Sequence, residues 1–484
     1  MEDQSFDITA IINVYKRPYT LDEQICAIKA QTITPKFIFI WNNGNTAVDF
    51  TKYKSDPQIR IFDNNANYGV WSRFLIGFLA PTKYICVFDD DTIPGRQWFA
   101  NCVRAMKERE ALYGTIGVVF GATTGYKMLK RYGWDGPSTI DMPVDIVGHS
   151  WFFKKSWLSY FVREAPQVHE SPSNGEDLHF SFMLQKYANI PTYVPAHPPG
   201  KYELWGSQPK TAWAYGCDGM SETGPHLDRA QEACTSRGFR VLIQRTSASS
   251  ADDFEHFRAL IRMQTPFAVV RPADGEYAVL QNKTLTNIDG WTFCSGGRLS
   301  RDLEDAIKTA RDTCCYVGIP CGECNKDMAR WYVEHFHLHP TYTTFANIFV
   351  NANWRKWIQF LKEERVPFIS VGPGPYVNMA EFCMRGTIVV PPMLVNTWDA
   401  NGEDTITSVL TEVSKHQGSI FLFSCGPIAK ILVAHAWQKH PHNIYQDVGS
   451  SLDLFIKGST NRLYTEGEGF ARKVCHFSPD IIRL

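Results

Sequence analysis

Tyr84-Ile85-Cys86-Val87-Phe88-Asp89-Asp90-Asp91 decides the fold: five apolar residues run straight into three aspartates. The apolar run, rich in β-branched and aromatic residues, reads as a buried strand. The sequence before it keeps a strand–helix alternation. Ile8–Val14 is a first strand, Leu21, Ile25 and Ile28 recur at helical spacing, and Phe37–Trp41 and Ile59–Phe62 are further strands. Trp71, Phe74, Leu75 and Phe78 mark another helical stripe. Such alternation predicts a mostly parallel sheet with helices on its faces. In these sheets ligands bind beyond the carboxyl ends of strands, where the three aspartates stand.

Adjacent carboxylates repel, and each raises its neighbours' pKa unless a cation is present. A hard cation, Mn²⁺ or Mg²⁺, relieves that cost and keeps coordination positions for a diphosphate. The alternative is a solvated turn or helix cap. The surrounding residues favour the metal. Tyr15-Lys16-Arg17 follows the first strand, Asn67-Tyr68-Gly69 precedes a helix carrying Arg73, and Gly175-Glu176-Asp177 heads an amphipathic run. A carboxylate at Asp177 suits a general base acting on a sugar hydroxyl; it equally suits a helix N-cap. The stretch 144–153, with Gly148, His149 and three aromatic residues, reads either as a platform for an acceptor sugar or as a core strand.

With these pieces in order, residues 6–200 resemble a GT-A glycosyltransferase of the family 2 type, with some likeness to the exostosin-type family. The resemblance implies nucleotide binding at Tyr15 and Arg17 and donor binding at Asn67 and Arg73. It makes Asp89-Asp90-Asp91 the DxD motif on the donor diphosphate, with Asp89 and Asp91 toward the metal. Glu176-Asp177 resembles the xED motif, whose aspartate is the base of inverting members. A late histidine often completes the metal set in such enzymes, which points to His197; the alternative for it is a structural role.

A polar, turn-rich break around residues 216–250 (Gly216, Gly219, Gly224, then Ser247-Ala248-Ser249-Ser250) separates this part from a second alternation. Strands are expected at 267–270, 314–319, 341–349, 366–371, 387–390 and 419–424. The first of them ends in Arg271-Pro272-Ala273-Asp274-Gly275-Glu276. Gly275 permits a sharp turn that lets Asp274 and Glu276 point the same way; an ordinary polar turn is the other reading. Ser424-Cys425-Gly426-Pro427 opens a helix whose free N–H groups suit a diphosphate.

Residues 254–455 thereby resemble the GT-D glycosyltransferases, first described as a bacterial domain of unknown function. The matching pieces are Arg271-x-x-Asp274-Gly275-Glu276, Phe345-Ala346-Asn347, the run from Gly426 to Lys430, and Asp447-x-Gly449. By this resemblance Arg271, Asp274, Glu276, Asn347, Gly426 and Lys430 bind a donor, with metal at Asp274 and Glu276. Ala273 stands where that family has glycine. The expected fold is therefore α/β, two Rossmann-like domains: GT-A over 1–240 and GT-D over 245–484.

The 484-residue chain is 44% hydrophobic with a formal net charge of −1, so disorder is excluded and nothing in the bulk charge points to nucleic acid or an anionic membrane. The start, Met1-Glu2-Asp3-Gln4, lacks the basic-then-apolar layout of a signal peptide. No apolar run reaches the ~18 residues of a membrane span, and a cytoplasmic location is expected. The 13 cysteines read as reduced thiols. Cys321-Gly322-Glu323-Cys324 has zinc-like spacing, but no second Cys pair sits nearby and His335, His337 and His339 fall at a helix end, so zinc is not expected. Asn282-Lys283-Thr284 is a formal glycosylation sequon.

The leading expectation is a metal-dependent, bifunctional glycosyltransferase, its first domain inverting, that adds two sugars in sequence from UDP-, GDP- or dTDP-sugar donors to a glycan or glycoprotein acceptor. The alternatives are one active GT-A domain joined to a binding or scaffold module, and a lectin-like protein without catalysis.

Overall fold

Ile8–Val14 forms strand β1 with all seven residues buried. Its β-branched side chains fit a pleated surface covered on both faces. In this computed structural model residues 7–134, 136–165, 175–208, 225–310, 314–466 and 473–477 are described. Gly216, Gly219 and Gly224 of the expected break lie outside them. The chain divides into two units, Met1–Gln244 and Arg245–Arg483.

In the first unit β1 is followed by β2 (Phe37–Asn43), β3 (Ile59–Asn64), β4 (Tyr84–Phe88), β5 (Leu112–Phe120), β6 (Met128–Tyr132), β7 (Met142–Val144), β8 (Ile146–Lys154) and β9 (Thr192–Val194). Strands β1 to β4 pair in parallel. The sheet order is β3-β2-β1-β4-β8-β5-β9-β7, with β6 on β5. β8 runs antiparallel to both β4 and β5. The parallel half matches the sequence reading. The antiparallel half departs from a simple parallel sheet, because β8 inserts its buried rings between β4 and β5. The strand order reverses between β1 and β4, so the ends of these two strands flank a crevice.

The second unit holds β10 (Phe267–Val270), β11 (Leu285–Thr286), β12 (Thr292–Phe293), β13 (Cys315–Ile319), β14 (Thr343–Phe345), β15 (Phe368–Gly372), β16 (Met384–Val389), β17 (Ile420–Phe423) and β18 (Ile444–Asp447). Seven of them form one sheet, β14-β13-β10-β18-β17-β15-β16, in which every pairing is parallel. The strand expected at 341–349 shrinks to β14, because Pro340–Tyr342 takes a 3-10 turn. The order reverses between β10 and β18. Phe257 stacks on Phe267 with ring centroids 5.2 Å apart, seating the helix Ser250–Arg262 on β10. Among the described residues no helix is long and apolar enough to cross a membrane.

Candidate active site

The reversal between β1 and β4 gathers the charges that the sequence marks. Asp90 turns back toward the end of β1: its Oδ2 accepts the backbone N–H groups of Lys16 and Arg17 at 3.1 and 3.3 Å. The Arg17 guanidinium pairs with Asp90 and lies 3.3 Å from Asp91. Gln24 donates to the carbonyls of Asp89 and Thr92, both at 2.7 Å, which fixes the turn. Asp90 is thus a structural clamp between two strand ends.

Asp89 pairs with Arg73, whose other terminal nitrogen meets Glu176 Oε1 at 2.7 Å. Arg73 is buried, and its guanidinium lies 4.8 Å over the Trp151 ring. The helix Ser72–Leu75 carries this arginine inward, so Phe74 and Arg73 are buried while Leu75 and Phe78 of the expected apolar stripe are 43% exposed.

His149 completes the cluster. Asp89, Asp91 and His149 bring their donor atoms within 4.8 Å of one another. His149 Nδ1 stands 3.8 Å from Asp91 Oδ1, beyond hydrogen-bond reach. That nitrogen is buried without a hydrogen-bond partner. Two carboxylates and an orphaned imidazole nitrogen form a donor set that fits Mn²⁺ well and Mg²⁺ acceptably. The left-handed backbone of His149, φ 64°, turns the ring toward the aspartates, and the Trp134 ring packs edge-on against it at 4.5 Å.

The helix Glu176–Ala188 starts at Gly175, φ 85°, with both acids in its first turn, where the helix dipole favours them. Burial pushes Glu176 up to about 8 even with Arg73 beside it. Burial likewise pushes Asp177 up to about 6, opposed by the Leu178 N–H donating to its Oδ1 at 2.7 Å. Asp177 is partly exposed, whereas Glu176 is committed to Arg73.

Three sequence candidates have other surroundings. His197 is buried with Nδ1 against the Pro195 carbonyl and Nε2 3.3 Å from Thr115 Oγ1. It packs on Trp98 and Trp205 rather than joining the aspartates. Burial lowers it to about 4, so it stays neutral as a core histidine. Asn67 caps a turn, its Oδ1 accepting Gly69 N–H at 2.8 Å, and Asn43 also donates to it. The Tyr15 carbonyl is held by Asn45 at 2.5 Å, at the mouth of the crevice. The aromatic residues Trp151, Phe152 and Phe153 are core, at most 2% exposed, and so cannot stack on a sugar.

The second crevice lies between β10 and β18. Asp447 ends β18, fully buried; its Oδ2 accepts Arg271 N–H at 3.0 Å and pairs with Lys430 Nζ at 3.0 Å. Lys430 also pairs with Glu276 Oε1 at 2.9 Å and donates to the Gly426 carbonyl at 3.1 Å. Glu276 is buried, which would raise its pKa, but the Lys430 charge holds it below the usual range. The expected glycine turn is instead the start of a helix, Asp274–Leu280. Residues two apart on a helix do not share a face. Asp274 is therefore exposed while Glu276 points inward, and the two do not form a carboxylate pair. Arg271 donates to the Ala346 carbonyl at 2.6 Å, and a side chain at Gly449 would collide with its guanidinium at 2.3 Å. The Asn347 amide donates to Cys475 Sγ at 3.0 Å instead of facing this crevice.

Residues 9–168 match the family model described as glycosyl transferase family 2. A comparison with curated proteins gave no match. Among solved structures the chain is similar to residues 1–349 of S. aureus TarS, at 14% identity over 39% of this chain and 60% of that one, with a TM-score of 0.29. The same fragment in complex with UDP-GlcNAc gives 12% identity over 53% and 66%, with a TM-score of 0.27. A domain of unknown function, number 1792, gives 17% identity over 48% and 87%, with a TM-score of 0.31. The chain spans about three-fifths of the first of these structures. The family match includes β1 from Thr9 onward, Arg17, Arg73, the three aspartates and His149. Over residues 9–168, about a third of its length, the chain is similar to the family 2 glycosyltransferases.

Proposed function

We propose that the first unit transfers a sugar from a nucleotide-sugar donor to a glycan or glycoprotein acceptor, with inversion and with a divalent cation. The observation that carries this reading is the set Asp89, Asp91 and His149 at the strand reversal, with an imidazole nitrogen left without a partner. Mn²⁺ or Mg²⁺ held by these residues would supply charge for the departing diphosphate. The chain's own residues do the rest. Arg73, locked by Asp89 and Glu176, holds the wall of the donor crevice. Arg17 and Tyr15 border the end where a nucleobase lies. Asp177 takes the proton of the acceptor hydroxyl, its raised pKa bringing it near the working range of a general base.

The second unit is proposed as a second donor site. An ammonium at a helix N-terminus opposes the helix dipole, and Lys430 is kept there by Glu276, Asp447 and the Gly426 carbonyl. A diphosphate entering at Gly426 would meet both the free N–H groups and Lys430. This makes the chain bifunctional, as its resemblance to GT-D enzymes implies.

The test is a screen of UDP-, GDP- and dTDP-sugars with the full chain, with and without Mn²⁺, reading nucleotide release and donor binding. Release of one nucleotide that Asp91→Asn abolishes, and of another that Glu276→Gln abolishes, is the expected result. Loss of all turnover in Asp91→Asn alone, with Glu276→Gln unaffected, would leave the second unit a binding module. No donor binding by any variant or by the parent would sink both proposals.

A further inference from the structure

Cys321 and Cys324 flank the start of the helix Gly322–Phe336, where free N–H groups and the helix dipole favour thiolates. A third cysteine arrives from far along the chain: Cys475, 151 residues beyond Cys324. All three sulfurs lie within 4.8 Å of one another. Cys324 and Cys475 are 3.8 Å apart, sulfur to sulfur. Two thiolates bound ~2.3 Å from one tetrahedral ion sit ~3.8 Å apart, the edge of that tetrahedron. Two supporting contacts accompany the sulfurs. The Asn347 amide donates to Cys475 Sγ at 3.0 Å, and the Lys473 ammonium lies 3.9 Å from Glu323 Oε2, between the two helix cysteines in sequence.

We propose that Cys321, Cys324 and Cys475 form a thiolate site for Zn²⁺, distinct in chemistry from the carboxylate site of the first unit. Three soft ligands select zinc over Mn²⁺ or Mg²⁺. Cys321 and Cys475 are buried and Cys324 is exposed, so the fourth position opens to solvent and takes a water. The Asn347 N–H···S contact is the outer-shell bond that such sites use to orient a ligand. The site fastens the segment 473–477 onto the second unit. Cys475 exchanges hydrogen bonds with Ser250, its N–H reaching Oγ at 3.1 Å and its carbonyl taking the Ser250 N–H at 2.8 Å. Phe477 stacks on Phe345 at 4.1 Å.

The full chain, purified reduced and without chelator, should carry zinc by elemental mass spectrometry. Replacement by Co²⁺ should give thiolate-to-cobalt charge-transfer absorption, a signature that carboxylate sites lack. Cys475→Ser should remove that band; should this variant fail to fold, Cys324→Ser at the exposed ligand serves instead. Asn347→Ala should weaken Co²⁺ binding by about 10–100-fold, the cost of an outer-shell partner. Asp91→Asn should leave the band intact, separating this site from the first unit's. Absence of the band in the reduced parent chain with Co²⁺ in excess would overturn the proposal. So would a disulfide between any two of these cysteines in the freshly purified protein.

Discussion

Both sheets reverse their strand order beside a strand whose carboxyl end is charged, but they settle that charge differently. Beside β1 and β4, four carboxylates (Asp89, Asp90, Asp91 and Glu176) face two guanidiniums, Arg17 and Arg73. Beside β10 and β18, two carboxylates, Glu276 and Asp447, face two cations, Arg271 and Lys430. The first crevice gathers more carboxyl groups than guanidiniums and holds an imidazole nitrogen without a hydrogen-bond partner. The second is balanced by its own side chains. A reversal of strand order thus supports two electrostatic solutions. On the proposed reading, one would be completed by a cation from outside, and the other would offer its own lysine to an anionic ligand.

The sharpest way to break this contrast is to remove the outside cation. Asp91→Asn, or a chelator on the parent chain, should lower transfer by the first unit on the order of 10³-fold or more, since a bound metal supplies several kcal/mol to the transition state. Donor binding by the second unit should persist in chelator. Metal-independent turnover at the first site, read by nucleotide release, would erase the difference between the two crevices.

The second crevice is tested through its internal cation. Lys430 is buried, and Lys430→Met leaves Glu276 and Asp447 facing each other without it. Breaking a buried pair by removing one partner costs about 3–5 kcal/mol. Denaturant unfolding of the full chain should show that loss in the transition of the second unit. An unchanged midpoint would mean that the pair is not formed.

Asp177→Asn should lower turnover of the first unit on the order of 10²-fold while sparing donor affinity, a share typical of general base catalysis. The base works only when deprotonated, and burial places Asp177 at about 6. Turnover of the parent chain should therefore fall as pH drops through about 6, and the variant should lose that limb. Retained anomeric configuration in the product, read by NMR, would remove Asp177 from the role. The smallest effect is expected of His149→Ala, which should weaken Mn²⁺ binding by at least about 10-fold in calorimetry, since losing a ligand costs no less than losing a ligand's supporting partner. Unchanged affinity would take His149 out of the metal set.

Local features of the sequence carried most of the fold. β1, β4 and β10 run over the residues that their β-branched and aromatic composition marks, and the three aspartates sit at a strand end as the apolar-to-acidic step requires. What the sequence left open depends on distance along the chain. His149 reaches Asp91 only because β8 pairs antiparallel with β4, a register that no local pattern announces. The 144–153 stretch mixes inward rings with one histidine turned by a positive φ, so its two readings could not be separated by periodicity. His197 is two residues past a proline in a plausible position, yet aromatic packing makes it core. Asp274-Gly275-Glu276 reads as a turn by composition. The helix that begins at Asp274 instead sends the two acids apart, and only the partner of Glu276, Lys430, reveals its role.

The segment that ends in Phe477 has a consequence beyond the cysteines. His476 bridges to Ser249, and Cys475 bonds to Ser250, so the segment 473–477 lies alongside the start of the helix Ser250–Arg262, the first helix of the second unit. A body whose early and late segments are neighbours tolerates having its chain opened elsewhere, because the joint between the two segments stays short.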